Sequence, residues 1–96
     1  MNISKGDLIV SLAGRDKDQV FYVLNVDETF AYLANGKQRK IENPKRKKLK
    51  HIRFAARIDS RVAEKIRSCD KVLNSELRRD LAIQGQTLTV RTKEDE

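Results

Sequence analysis

The chain has 96 residues, a net charge of +7, and 36% charged against 5% aromatic residues with no Trp. That composition limits it to one small domain whose core is built mostly from Val, Ile, Leu and Ala. The apolar residues are clustered, which excludes wholesale disorder. No stretch is apolar for long enough to span a bilayer, and no apolar leader segment is expected.

The first strand is predicted over 7–13, "DLIVSLA", and the second over 19–26, "QVFYVLNV". Both are rich in β-branched and aromatic residues. Between them Gly14 is followed by four charges, Arg15, Asp16, Lys17 and Asp18, which is more than a chain reversal needs. Asp16 and Asp18 read as loop ion pairs with Arg15 and Lys17. The second strand is apolar on both faces, with Val20, Tyr22, Leu24 and Val26 on one and Phe21 and Val23 on the other. A sheet with one solvated side buries only one such set. The C-terminal helices are the expected cover for the extra set.

A third strand is predicted over 29–34, "TFAYLA", followed by Asn35-Gly36, a hairpin signal because both residues accept positive φ. "KQRKIE" is then a short fourth strand, which Asn43-Pro44 ends. A fifth strand is predicted over 49–55, "LKHIRFA", with Ile52 and Phe54 on one face and His51 and Arg53 on the other. Phe21, Phe30 and Phe54 are assigned to the core. Tyr22 and Tyr32 suit either core or surface, with core favoured.

From Asp59 the period becomes helical. An Asp59 or Ser60 cap precedes Val62, Ala63 and Ile66 on one face. A second helix starts near Asn74, with Leu77 and Leu81 on one face and Gly85 able to close it. Strands followed by two short helices predict an α+β domain, mainly β. The expected division is 1–56 for the β body, 57–86 for a helical extension packed on it, and 87–96 for a flexible tail. Arg78-Arg79 superficially suggests a groove-reading helix, but Glu76, Asp80 and the neutral balance of 58–96 argue for packing or protein docking instead.

Catalytic chemistry finds no foothold. A single Cys69 and a single His51 leave a zinc site two ligands short and offer no disulfide, and no phosphate-binding glycine loop occurs. No cofactor, metal or catalytic residue is expected. The lone thiol suggests a reducing, cytoplasmic setting.

Charge distribution is the stronger clue. Residues 37–57 hold ten Lys or Arg and one acid, Glu42. Such a concentrated field favours a polyanion. The run at 44–51, "PKRKKLKH", is the densest part; its self-repulsion asks for a counter-charge such as RNA phosphate. A solvated loop and a nuclear-localisation cluster are the alternatives.

"KGDLIVSLAGRDKDQVFYVLNV" at 5–26 resembles a KOW motif, the strand–loop–strand unit of several ribosomal proteins and NusG-type transcription factors. Gly6-Asp7 opens it and Gly14 takes the place of its characteristic glycine. With "NGKQRK" and "NPKRKKLKHI" following in order, residues 5–54 resemble bacterial KOW-domain RNA-binding proteins. These are akin to KOW-type large-subunit ribosomal proteins of archaea and eukaryotes. Asp18 stands where a glycine usually closes the loop, and Phe21 where the ribosomal-like group also carries Phe.

The resemblance implies a five-stranded SH3-like barrel that binds RNA, in particular ribosomal RNA. In a meander, loop 14–18 and turn 35–36 share one end and loop 43–48 lies at the other. The expected contacts are Gly14, Arg15 and Lys17 with Lys37, Arg39 and Lys40, then Lys45, Arg46, Lys47 and Lys48, extended by Lys50, His51 and Arg53. Gly14 would let the backbone approach a phosphate; the plainer alternative is that it serves the turn alone. With few spare aromatics, a folded RNA backbone is favoured over single-stranded readout. The expected partner is large-subunit RNA, bound by a monomer, with protein contacts through the helices and no membrane. A transient transcription or translation regulator and an SH3-like protein-interaction module are the rivals.

Overall fold

The computed structural model describes residues 2–95, and side chains through Gln84. Five antiparallel strands form one sheet in the order β4-β3-β2-β1-β5. They are β1 (Asp7–Ser11), β2 (Val20–Val26), β3 (Phe30–Ala34), β4 (Lys45–Lys48) and β5 (Ile52–Arg57). A 3-10 turn, Leu49–His51, links β4 to β5, and two helices follow, α1 (Arg61–Arg67) and α2 (Asn74–Asp95). The domain is α+β and mainly β, as expected. The sheet curls but its edge strands β4 and β5 do not pair. Helix α2 continues through Gly85 to Asp95, so Gly85 does not close it as expected and the helix is not short; side chains of the expected tail, 87–96, lie outside those described. Among the described residues no helix is long and apolar enough to cross a membrane.

The two-faced apolar pattern of β2 is resolved by two cores. Leu8, Tyr22 and Ala34 on the outer face pack against Val62, Ala63, Ile66 and Leu77 of the helices. Ile9, Phe21, Val23, Ala31, Leu33 and Ile52 fill the inside of the curl. A bulge between Val23 and Asn25 inserts Leu24 as an extra residue in β2. Parity flips there, so Leu24 packs with the helices while Val26 joins the interior. The curl is tight enough for the 3-10 turn to bridge it. Leu49 N donates to Thr29 O at 2.9 Å, and Leu12 N donates to His51 O at 2.9 Å.

"KQRKIE" is not a strand; the fourth strand is Lys45–Lys48. The cause is Asn35. Its Oδ1 accepts from the amides of Lys37 (2.9 Å) and Arg39 (3.1 Å), so the chain curls locally instead of pairing with β3. Beyond it, Ile41 N donates to Asn74 Oδ1 and Asn74 Nδ2 donates to Glu42, tying this segment to the start of α2. Only Gly36 of the predicted pair takes positive φ (77°). A Cβ there would lie 2.5 Å from Asn74 O, so the glycine is what lets α2 approach.

Helix α1 begins as expected, with Ser60 Oγ accepting from Ala63 N at 3.1 Å. It ends in a Schellman motif: Cys69 N donates to Ile66 O and Asp70 N to Lys65 O. Helix α2 is anchored by Leu77, which is fully buried and contributes about 2 kcal/mol. That outweighs the Lys65–Glu76 ion pair, whose half-exposed setting is worth below about 1 kcal/mol. Tyr22, Ser60 and Asp80 share a hydrogen-bonded node that joins sheet, α1 and α2. Burial first, then the Asp80 carboxylate it donates to, pushes the Tyr22 hydroxyl well above the usual phenol range.

Two non-glycine residues sit in the left-handed region, Asp18 (φ 73°) and Cys69 (φ 58°). Asp18 is the position where the resembled motif has glycine, and Cys69 is the C′ residue of α1. Asp18→Gly and Cys69→Gly should each raise the unfolding free energy by about 0.5–1 kcal/mol. Urea denaturation checks this; unchanged midpoints would mean that neither residue carries backbone strain.

Candidate functional site

The basic run divides by strand parity. Once 45–48 is a strand, alternate side chains face opposite ways. Lys45 and Lys47 pair with Leu33 and Ala31 across β3–β4 and turn inward; Arg46 and Lys48 pair with Tyr32 and Phe30 and turn outward. This corrects the expectation of a uniform cationic loop at the far end of the sheet. Because the sheet curls, the inward lysines reach the β1–β2 loop.

Asp16 receives them. Lys47 Nζ lies 2.6 Å from Asp16 Oδ1 and Lys45 Nζ 3.1 Å from Oδ2. Ser11 Oγ donates to Oδ1 at 2.7 Å, and Lys47 Nζ also donates to Ala13 O at 2.6 Å. Asp16 and Lys47 are 7% and 8% exposed, so this is an interior latch between a loop and a strand. Burial alone would raise the Asp16 carboxyl. Lys47, Ser11 and Lys45 more than offset it and hold the group below the usual carboxylate range. The partners are therefore Lys45 and Lys47, in place of the expected neighbours Arg15 and Lys17. Gly14 belongs to the same loop: a Cβ there would lie 3.5 Å from Lys47 Nζ, and its φ of 86° needs glycine. The loop's length serves the latch.

The other predicted contacts divide among four places. Gly14, Arg15 and Lys17 are exposed on the β1–β2 loop. Lys37 and Lys40 are exposed and Arg39 half-buried on the 35–44 connection beside α2. Arg46, Lys48 and Lys50 are exposed on β4 and the 3-10 turn, with His51 half-buried. Arg53 is exposed on β5, the opposite edge of the sheet. Arg78, set aside with the helix, donates to Gly36 O at 2.7 Å and so holds α2 to the connection.

Two aromatic assignments also change. Of the three Phe residues only Phe21 is in a core; Phe30 and Phe54 are half-buried. Tyr22 is fully buried but Tyr32 is not. Phe30 and Tyr32 share the outer face of β3 with their cross-strand partners Lys48 and Arg46. The Arg46 guanidinium lies 4.5 Å from the Phe30 ring centroid, and the Tyr32 hydroxyl donates to Asp27 Oδ2 at 3.2 Å. Asp27 in turn caps the β2–β3 turn, and the amides of Phe30 and Thr29 hold its carboxyl below its ordinary range. The signal for this face was the Phe30-x-Tyr32 spacing.

Lysines on an exposed edge strand also discourage edge-to-edge pairing, and β4 has that use whatever it binds. It does not account for the cations on the loops. Among the described residues Arg15, Lys17, Lys37, Lys48, Lys50 and Arg53 make no ion pair. No group of three His, Cys, Asp or Glu side chains converges among the described residues. Neither the protein-family models nor the curated proteins compared with this chain include a match to it.

Proposed function

We propose that the protein binds RNA, docking on structured ribosomal RNA of the large subunit through the outward cations of an SH3-like KOW barrel. Residues 1–56 would be the binding body and 57–86 the cover of its second apolar face. The resemblance over 5–54 supports this, as does a sheet curled around a single interior cluster.

One observation carries the proposal. The fold supplies an internal acid for Lys45 and Lys47, yet leaves the exposed Arg15, Lys17, Lys37, Lys48, Lys50 and Arg53 without an ion pair among the described residues. A surface serving solubility alone intersperses both signs. Here the uncompensated charge asks for a polyanion, whose condensed counterions are released on binding.

Ribosome profiles from gradient sedimentation test it. The protein should travel with the large subunit in low salt and leave it as salt rises. A pool that stays free at every salt concentration favours a transient regulator. Retention that ignores salt favours a protein partner.

A further inference from the structure

We propose that the outer face of β3–β4 is a stacking platform for an unpaired RNA base, built from Phe30, Tyr32 and Arg46. This rests on the RNA reading above but asks more of the surface, because cations alone recognise only the backbone.

The geometry distinguishes this face from a merely charged one. Phe30 and Tyr32 alternate outward on β3 while Ala31 and Leu33 turn into the interior core. Neither aromatic belongs to either core, so folding does not use them as fully buried anchors. Their cross-strand partners are both cations. Arg46 already lies over the Phe30 ring, which leaves the other side of its planar guanidinium able to take a base. The ring of Tyr32 is held by its hydroxyl bond to Asp27, and Asp27 is itself fixed by two backbone amides. Lys48, opposite Phe30 and exposed, stands where a phosphate flanking the stacked base would pass. An aromatic pair with interleaved cations suits a single strand, since every base offers a π-face and every nucleotide a negative charge.

The test uses the full chain and two probes, an octauridylate single strand and a blunt RNA duplex of twelve base pairs. The variants are Phe30→Leu and Tyr32→Leu, which keep an apolar side chain, and Arg46→Lys, which keeps the charge. Each should weaken octauridylate binding roughly tenfold, within the range for loss of one stacked base. Duplex binding and the salt slope should stay unchanged. In NMR spectra the Phe30 and Tyr32 ring signals should move with octauridylate and not with duplex. Equal losses on both probes, or none on either, overturn the platform. Wild-type binding of duplex without octauridylate also overturns it while sparing the phosphate reading. Binding of neither probe at low salt removes both.

Discussion

Asp16→Asn should lower the unfolding free energy by about 3 kcal/mol, a large effect for one loop residue on a domain this small. The substitution removes the negative charge opposite the buried Lys47 ammonium and leaves it only neutral acceptors, Ala13 O and the amide oxygen. The two lysines should contribute unequally. Lys45 has 28% of its side chain exposed and can swing into water; Lys47 has 8%. A double-mutant cycle should therefore give a coupling several-fold larger for Asp16–Lys47 than for Asp16–Lys45. Asp16→Asn combined with Lys47→Met should recover most of the loss, because the uncompensated charge leaves with it. Acid titration gives a second check. The Asp16 carboxyl is depressed in the folded state from an ordinary value of 3.8. Its contribution is thus complete above about pH 5 and fades as pH falls below that value toward the folded one. The gap between wild type and Asp16→Asn should narrow over the same interval. Equal stability of the two proteins at neutral pH would show that the latch contributes nothing.

The second large effect concerns which lysines meet RNA. If about five phosphates are contacted, log affinity should fall against log salt with a slope of about −3.5. Lys48→Ala with Lys50→Ala should flatten it by about 1.4, since each removed contact takes about 0.7 with it. The Asp16→Asn, Lys47→Met pair should leave the slope where it was, because that charge faces Asp16 in the interior. The opposite ranking would place Lys47 at the RNA and return the run 45–48 to a single cationic loop. Filter binding or anisotropy across a salt series, with each variant's unfolding midpoint measured alongside, decides between them.

The elements that could be read from the sequence are those whose causes are local. The strands Asp7–Ser11, Val20–Val26 and Phe30–Ala34, expected over 7–13, 19–26 and 29–34, follow from alternation and β-branched content. Helix α1 follows from Ser60 and the spacing of Val62, Ala63 and Ile66. What escaped was set by contacts across the fold. Asn35 bends 35–39 through its own side chain, and Asn74, 33 residues from Ile41, claims the segment that resembled a strand. The division of Lys45–Lys48 into inner and outer pairs needs both the strand and the curl, and nothing in a run of four cations marks either. The small supply of aromatics suggested that every Phe was needed inside. Val, Ile and Leu with one Phe fill the interior instead, and Phe30 and Tyr32 are left at the surface. The left-handed conformations of Gly14 and Asp18 fall on residue types that accept positive φ more readily than most, a local signal.

The bulge at Leu24 lets one strand offer an additional apolar side chain to the helices without disturbing its pairing to β3. Before it, even-numbered residues face the helices; after it, Val26 faces the interior. Deleting Leu24 would close the bulge: Asn25 opposite Tyr32 and Val26 opposite Ala31 would follow Val23 directly in register, so the β2–β3 turn keeps its place and what is lost is the Leu24 contact with the helices. Apolar exchanges of Leu24 should keep that contact. In this part of the molecule the extra residue serves the packing of the helices on the sheet, while the turn is held by its own pairing to β3.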